Sequence, residues 1–148
     1  FMNNYPQRVL SDSVYFRQME LYVESQYHRG RPYIGEYLDE VTGYWLKGDQ
    51  ERSRYYNHST FNDLMITGLI GLRPRLDDTV EVNPLIPADK WDWFCLDNVL
   101  YHGSNLTILW DKYGDRYHRG KGLRIFVDGK QVGYADRLTR IICENVLK

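Results

Sequence analysis

The chain has 148 residues, with 19 lysines and arginines against 20 aspartates and glutamates, for a net charge of −1. That length suits one medium domain or two small units sharing a core, and a compact fold of this size buries roughly 68–70% of its unfolded surface. The balanced charge argues against a general nucleic-acid binder, which carries a basic excess. No apolar run approaches the ~20 residues of a membrane-spanning helix.

Aromatic residues are abundant, with 13 Tyr, 4 Trp and 5 Phe. Such side chains join an apolar face to a polar tip, which suits carbohydrate sites and interfaces, and most of them are expected simply to fill a core. Cys95 and Cys143 lie far apart, form no CxxC pair and give no basis for structural zinc. Paired or free, they stay open. No signal-peptide pattern is visible, so the compartment stays open too, and the start Phe1-Met2-Asn3-Asn4 suggests a piece of a longer protein.

Residues 1–10 read as an extended lead-in, and Ser11 and Asp12 as helix N-caps. Val14, Tyr15, Met19, Tyr22, Val23 and Tyr27 then recur at helical spacing, predicting a helix from Asp12 to His28 that stops at Gly30 and Pro32. Next comes the run Arg31 to Gly43, in which one carboxylate, Glu36, is set among Tyr33, Gly35 and Tyr37. Residues 44–56 read as a solvated connection. A second helix follows, capped at Asn57 or Ser59, with Phe61, Leu64, Met65, Gly68, Leu69 and Leu72 on its apolar side. Gly68 inside it suggests close packing against a neighbour, and Gly71 and Pro74 end it.

The texture changes at Arg73-Pro74-Arg75. Short alternating runs at Val80–Asn83, Trp91–Cys95, Val99–Trp110, and Leu123–Ala135 around Asp128-Gly129 predict strands and hairpins, with Leu138–Val146 as a last strand or helix. The expected fold class is therefore α+β: a helical hairpin over residues 1–74, then an antiparallel β-sandwich over residues 75–148. Two helices cannot enclose their own apolar stripes, so the helical part is expected to belong to something larger.

G-x-S-x-G, P-loop and dinucleotide motifs are absent. The four histidines lack metal-ligand spacing, and no metal or cofactor is expected. Ser59 beside His58 reads as a helix cap rather than a triad. Asp77 and Asp78 read as turn residues, while Asp111 and His102 are modest candidates for ligand contact. A carboxylate between tyrosines suits proton transfer at a sugar, although a solvated loop acid is the plainer alternative. Glycoside hydrolysis needs two carboxyl groups, and Asp39 and Glu40 lie too close in sequence to be the partner. They are expected to shape the loop.

The run Tyr33-Ile34-Gly35-Glu36-Tyr37-Leu38-Asp39-Glu40-Val41-Thr42-Gly43 resembles the aromatic–Glu–Tyr–x–Asp–x–x–Thr–Gly segment of six-hairpin (α/α)6-barrel glycosidases, the mannosylglycerate-hydrolase-like and glucosidase/trehalase-like groups. Tyr55-Tyr56-Asn57-His58-Ser59-Thr60 resembles the start of their last barrel helix. Gly71-Leu72-Arg73-Pro74, Val80–Leu85 and the later strands are similar to the sandwich that follows the barrel in many bacterial members. The resemblance implies that Glu36 is the general base of an inverting hydrolysis. It further implies that Tyr33, Tyr37, Asn57 and His58 line the sugar site and that the general acid, an Asp earlier in the barrel, lies outside this chain. The chain would then be inactive alone, its partner a carbohydrate substrate held through the rest of the barrel, with neither nucleic acid nor membrane involved. Exposed barrel-facing aromatics would permit self-association. The alternative is a non-catalytic carbohydrate-binding or structural sandwich module.

Overall fold

The computed structural model describes residues 9–47, 50–56 and 60–147. Helix α1 spans Asp12–Ser25, started by Ser11, whose hydroxyl accepts from the Val14 N–H at 3.3 Å. The helix ends three residues before His28, because the chain turns into a two-stranded hairpin, β1 (Tyr27–His28) and β2 (Arg31–Pro32). Arg29 and Gly30 form its turn, both at positive φ. The buried face of α1 is Phe16 and Met19, whereas Val14 and Val23 of the predicted stripe are exposed. The periodicity identified the helix and, through Met19 and Tyr15, part of its inner face, but missed Phe16.

Helix α2 is short, Phe61–Leu64, and runs on as a π-helical turn over Met65–Ile70. Gly68 explains the local packing. A β-carbon there would lie 2.0 Å from the Tyr15 hydroxyl, which instead donates to the Leu64 carbonyl at 2.9 Å. Tyr15 therefore crosses from α1 onto a surface that only glycine leaves open, as the sequence suggested. Gly71 closes the element in the left-handed conformation, φ 86°, against the backbone of Asn83.

Two antiparallel sheets follow. One has three strands in the order β3 (Leu72–Arg73), β4 (Val80–Val82) and β9 (Ile141–Cys143). The other has four in sequence order: β5 (Trp93–Tyr101), β6 (Ser104–Asp111), β7 (Gly122–Val127) and β8 (Lys130–Ala135). Register explains the core. Phe94, Trp110 and Leu123 lie across one row, and Leu96, Ile108 and Ile125 across the next. These residues join Leu72, Val80 and Val82 of the smaller sheet and Phe16, Met19, Leu69 and Ile70 of the helical part in one hydrophobic cluster. The fold is α+β, and both parts share that core.

The two runs Trp91–Cys95 and Val99–His102, separate in sequence pattern, belong largely to one strand. Between Leu96 and Val99 the register shifts at Asp97 and Asn98, with Asn98 at φ 58°. Such a bulge inserts residues without ending the pairing. The tight turns His102-Gly103 and Asp128-Gly129 have both residues at positive φ, as a type I′ hairpin turn requires.

Ion pairs tie the small sheet together. Glu81, buried in β4, accepts from Arg75 at 2.9 Å and from Arg140 at 2.8 Å, while Arg75 also grips Asp77. Asp77 accepts from the Thr79 N–H as well, confirming its place in a turn. Asp111, only 1% exposed, accepts the backbone N–H groups of Gly114, Arg116 and Tyr117. It organises a loop rather than facing a ligand. Cys95 and Cys143 are both free thiols.

Candidate active site

The site begins with packing. Tyr33 is buried and sets its ring 5.3 Å from that of Trp45. Trp45 is itself buried within the stretch predicted to be solvated, and its indole N–H donates to the Tyr27 carbonyl at 3.1 Å. Gly35 lies beneath both rings: a β-carbon there would come 2.6 Å from Tyr33 and 2.7 Å from Trp45. The glycine before the acid thus lets the backbone pass against bulky groups, and those groups are the chain's own aromatics.

The loop beyond Glu36 folds back on itself. Leu38 bridges to Trp45, the Leu46 N–H donates to the Tyr37 carbonyl, and the Asp39 N–H donates to the Tyr44 carbonyl. Asp39 accepts from the Val41 and Thr42 N–H groups and from the Thr42 hydroxyl, which hold its pKa below the usual carboxylate value. Asp39 therefore shapes the loop, as expected.

Glu36 is half-buried. Its Oε2 accepts from the hydroxyl of Ser53 at 3.4 Å, and Ser53 is 1% exposed in the short 3-10 turn Glu51–Ser53. Sequence reasoning missed Ser53, which carries no motif. The phenol of Tyr37 also hydrogen-bonds Glu36, and that bond, with the carboxylate's charge, raises the Tyr37 pKa. Among the described residues no lysine or arginine forms an ion pair with Glu36.

Glu36 forms part of the wall of an open cavity of about 470 Å³ between α1, α2 and the loop. Gln18 and Tyr22 line it from α1, Gln26 from the residue that caps α1, Phe61 and Leu64 from α2, and Trp45 from the loop. Tyr22 and Phe61 stack with ring centroids 5.0 Å apart at its border. Among the described residues, Glu36 is the sole carboxylate lining it. A single acid can accept or give one proton, and it needs a second group across the sugar to cleave a glycosidic bond.

Of the residues expected around the sugar, Glu36 faces the cavity. Tyr37 is exposed and touches Glu36, with the Lys47 ammonium 4.2 Å above its ring. Tyr33 packs on the far side of Gly35 and lines a different cavity. Asn57 and His58 lie outside the described residues.

Comparison with known proteins separates the two halves of the chain along the same seam. Residues 7–59 match the mannosylglycerate hydrolase MGH1-like glycoside hydrolase domain, and residues 72–133 match the C-terminal domain of glycosyl hydrolase family 65. Both matched models are glycoside hydrolase domains, which supports reading the chain as a C-terminal piece of such a protein. A solved structure described as a sialidase is 90% identical, superposes with a TM-score of 0.95 and is matched over 99% of this chain. This chain spans 14% of the length of that structure. The first match ends just before α2 and contains the Glu36 loop, and the second begins at β3.

Proposed function

We propose that this glycoside hydrolase sequence supplies the general base of an inverting hydrolysis of O-glycosidic bonds, and that Glu36 is that base. The observation carrying this reading is a half-buried carboxylate in a cavity wall, held by the hydroxyls of Ser53 and Tyr37 rather than by a cation. A carboxylate held by neutral donors keeps its charge for a water proton, whereas an ion-paired one is already spent on its partner. The aromatic wall of Trp45, Tyr22 and Phe61 offers flat faces to a sugar ring.

Inversion requires a second carboxyl group about 6.5–9.5 Å away, leaving room for the attacking water. With Glu36 the sole acid among the described residues that line the cavity, the general acid is assigned to the remainder of a longer protein, as is most of the carbohydrate site. This chain alone is then without hydrolytic activity. The shared core supports a bracing role for the sheets, because Met19, which lines the cavity, packs in the same cluster as Ile108 and Ile125.

The deciding experiment uses the whole parent protein. Glu36→Gln keeps the shape and one acceptor oxygen but removes the base, and kcat is expected to fall by ~10² to 10⁴. Activity left near the parental level removes the assigned role. Product configuration, read by NMR at the anomeric carbon, separates inversion from retention.

A further inference from the structure

The four-stranded sheet has an outer face as well as an inner one. Phe94, Ile108 and Ile125 belong to the shared core, so strand alternation puts Cys95, Thr107, Leu109 and Phe126 on the opposite side. There Cys95 pairs across with Leu109, and Thr107 with Phe126. Leu109 is nonetheless only 4% exposed, although it stands outside the core cluster. The loop between β6 and β7 folds over this face, with the Arg116 guanidinium 4.2 Å above the Trp93 ring and the Tyr117 ring 6.4 Å from it. Between that loop and the Asp128-Gly129 turn lies a cavity of about 340 Å³, at the lower end of the range for small-ligand sites.

Both walls are fixed before any ligand arrives. Asp111 holds the start of the loop through three backbone N–H groups, and Arg124 holds its end by donating to the Gly120 and Lys121 carbonyls at 3.3 and 3.1 Å. The turn is tied to β6, where the Asn105 N–H donates to the Asp128 carboxylate at 2.9 Å and the Asp128 N–H to the Asn105 carbonyl at 2.8 Å. A preformed site spends little binding energy on ordering itself.

The lining divides into an apolar floor and a polar rim. Leu109, Phe126 and Cys95 form the floor. Burial raises the Cys95 pKa, with the charge of Asp97 adding to it, and burial also raises that of Tyr117, so thiol and phenol both stay neutral. Asp97 and Arg119, of opposite charge, stand on the rim. Asp97 sits in the β5 bulge, a device that re-aims side chains, and its Oδ1 accepts from the Thr107 hydroxyl at 2.6 Å. Among the described residues, neither Oδ2 of Asp97 nor the Arg119 guanidinium has a hydrogen-bond or ion-pair partner.

We infer that this cavity binds a neutral pyranose residue of a glycan, held at adjacent hydroxyls by Asp97 and Arg119 with one C–H face of the ring against Phe126. A hydroxyl both donates and accepts, so one sugar edge satisfies the carboxylate and the guanidinium together, and opposite charges on the rim suit a ligand with none. The flat ring of Phe126 and the Leu109 side chain take the apolar face. The site shares no lining residue with the cavity of Glu36, so its occupancy does not depend on the role proposed for that residue.

The test titrates the isotope-labelled 148-residue chain with the methyl glycosides of glucose, mannose and galactose, followed by amide NMR. Sorbitol, which has hydroxyls but no ring face, is the control. Saturable millimolar binding of at least one glycoside is expected, with shifts at Cys95, Asp97, Thr107, Phe126 and Gly129 and none with sorbitol. Asp97→Asn and Arg119→Gln, both at exposed positions, should each weaken binding about tenfold, the loss of one charge-assisted hydrogen bond. Unchanged resonances elsewhere show that each variant is folded. Absence of saturable shifts with all three glycosides overturns the inference. So do shifts confined to Tyr22, Gly35 and Trp45, which would assign the sugar to the first cavity, and so does binding undiminished in both variants or matched by sorbitol. A Glu36→Gln parent protein of full activity would leave every one of these outcomes as it stands.

Discussion

Gly35 and Trp45 interlock: a β-carbon on Gly35 would lie 2.7 Å from Cε3 of the indole ring, with Tyr33 crowding the same point at 2.6 Å. Both rings are buried, and the Trp45 indole is pinned by its bond to the Tyr27 carbonyl, so neither has room to yield. Gly35→Ala is therefore expected to destabilise the chain by about 1–3 kcal/mol, the usual cost of forcing a methyl into a packed site. Urea unfolding followed by Trp fluorescence measures it. Because Glu36 is the next residue, the same substitution should lower kcat in the parent protein without touching a reacting group.

Asp111 gives a second measurable effect. Its two buried oxygens accept three backbone N–H groups of the loop that follows β6. Burial alone would raise its pKa, but those donors outweigh burial and hold it below the usual carboxylate range. Asp111→Ala strands all three N–H groups, and a loss of about 2–4 kcal/mol is expected. Hydrogen exchange should localise the damage, with the amides of Gly114, Arg116 and Tyr117 losing protection first. Unchanged protection there would detach the loop from this side chain.

Acid stability should track Glu81. Burial favours its neutral form, yet the guanidinium groups of Arg140 and Arg75 more than offset this and lower its pKa. Asp77 is lowered as well, chiefly by its bond to Arg75. For a group with a depressed folded pKa, the stabilisation is fully present above the unfolded value, about 4.3 for glutamate, and is lost as the pH falls through the folded value. Melting temperatures recorded from pH 7 to pH 2 should thus decline below about pH 4. Glu81→Gln should lower stability at pH 7 by about 1–3 kcal/mol and flatten that acid limb. A variant with the parental slope would move the acid sensitivity elsewhere.

The chain's own patterns carried the large features and failed where contacts are made by residues distant in sequence. The Asp128-Gly129 hairpin was legible because only a few residue types accept two successive positive φ angles. The switch near Pro74 was legible because helical and strand periodicities differ. By contrast, the inner face of α1 was only partly legible: Met19 and Tyr15 of the stripe meet the core, whereas Val14 and Val23 are exposed and Phe16, outside the stripe, packs against Trp91. Gly68 announced a close approach without saying that Tyr15 makes it. Glu36 stood out through its tyrosines, whereas Ser53 lies 17 residues away, and a lone serine in a charged stretch gives no signal. Tyr33 matched the pattern of a sugar-stacking ring, but packing turned it toward Trp45 and into the other cavity.

The contact between Tyr37 and Glu36 can be tested in the isolated chain, without any substrate. The phenol donates to the carboxylate, and forming a phenolate there would place two negative charges side by side. Both effects favour the protonated phenol and raise its pKa above the ordinary value, against a smaller opposing pull from Arg52. Replacing Glu36 by Gln removes the charge and leaves a weaker acceptor, so the Tyr37 titration should move down toward an unperturbed tyrosine. Labelling the tyrosine ring carbons and following Tyr37 by NMR between pH 8 and pH 12 reads the shift directly. Ser53→Ala should leave the Tyr37 titration raised, since that hydroxyl reaches Glu36 from the 3-10 turn and not through the phenol. A Tyr37 curve identical in the parent and Glu36→Gln chains would separate the two side chains and withdraw the phenol from the carboxylate's supporting contacts.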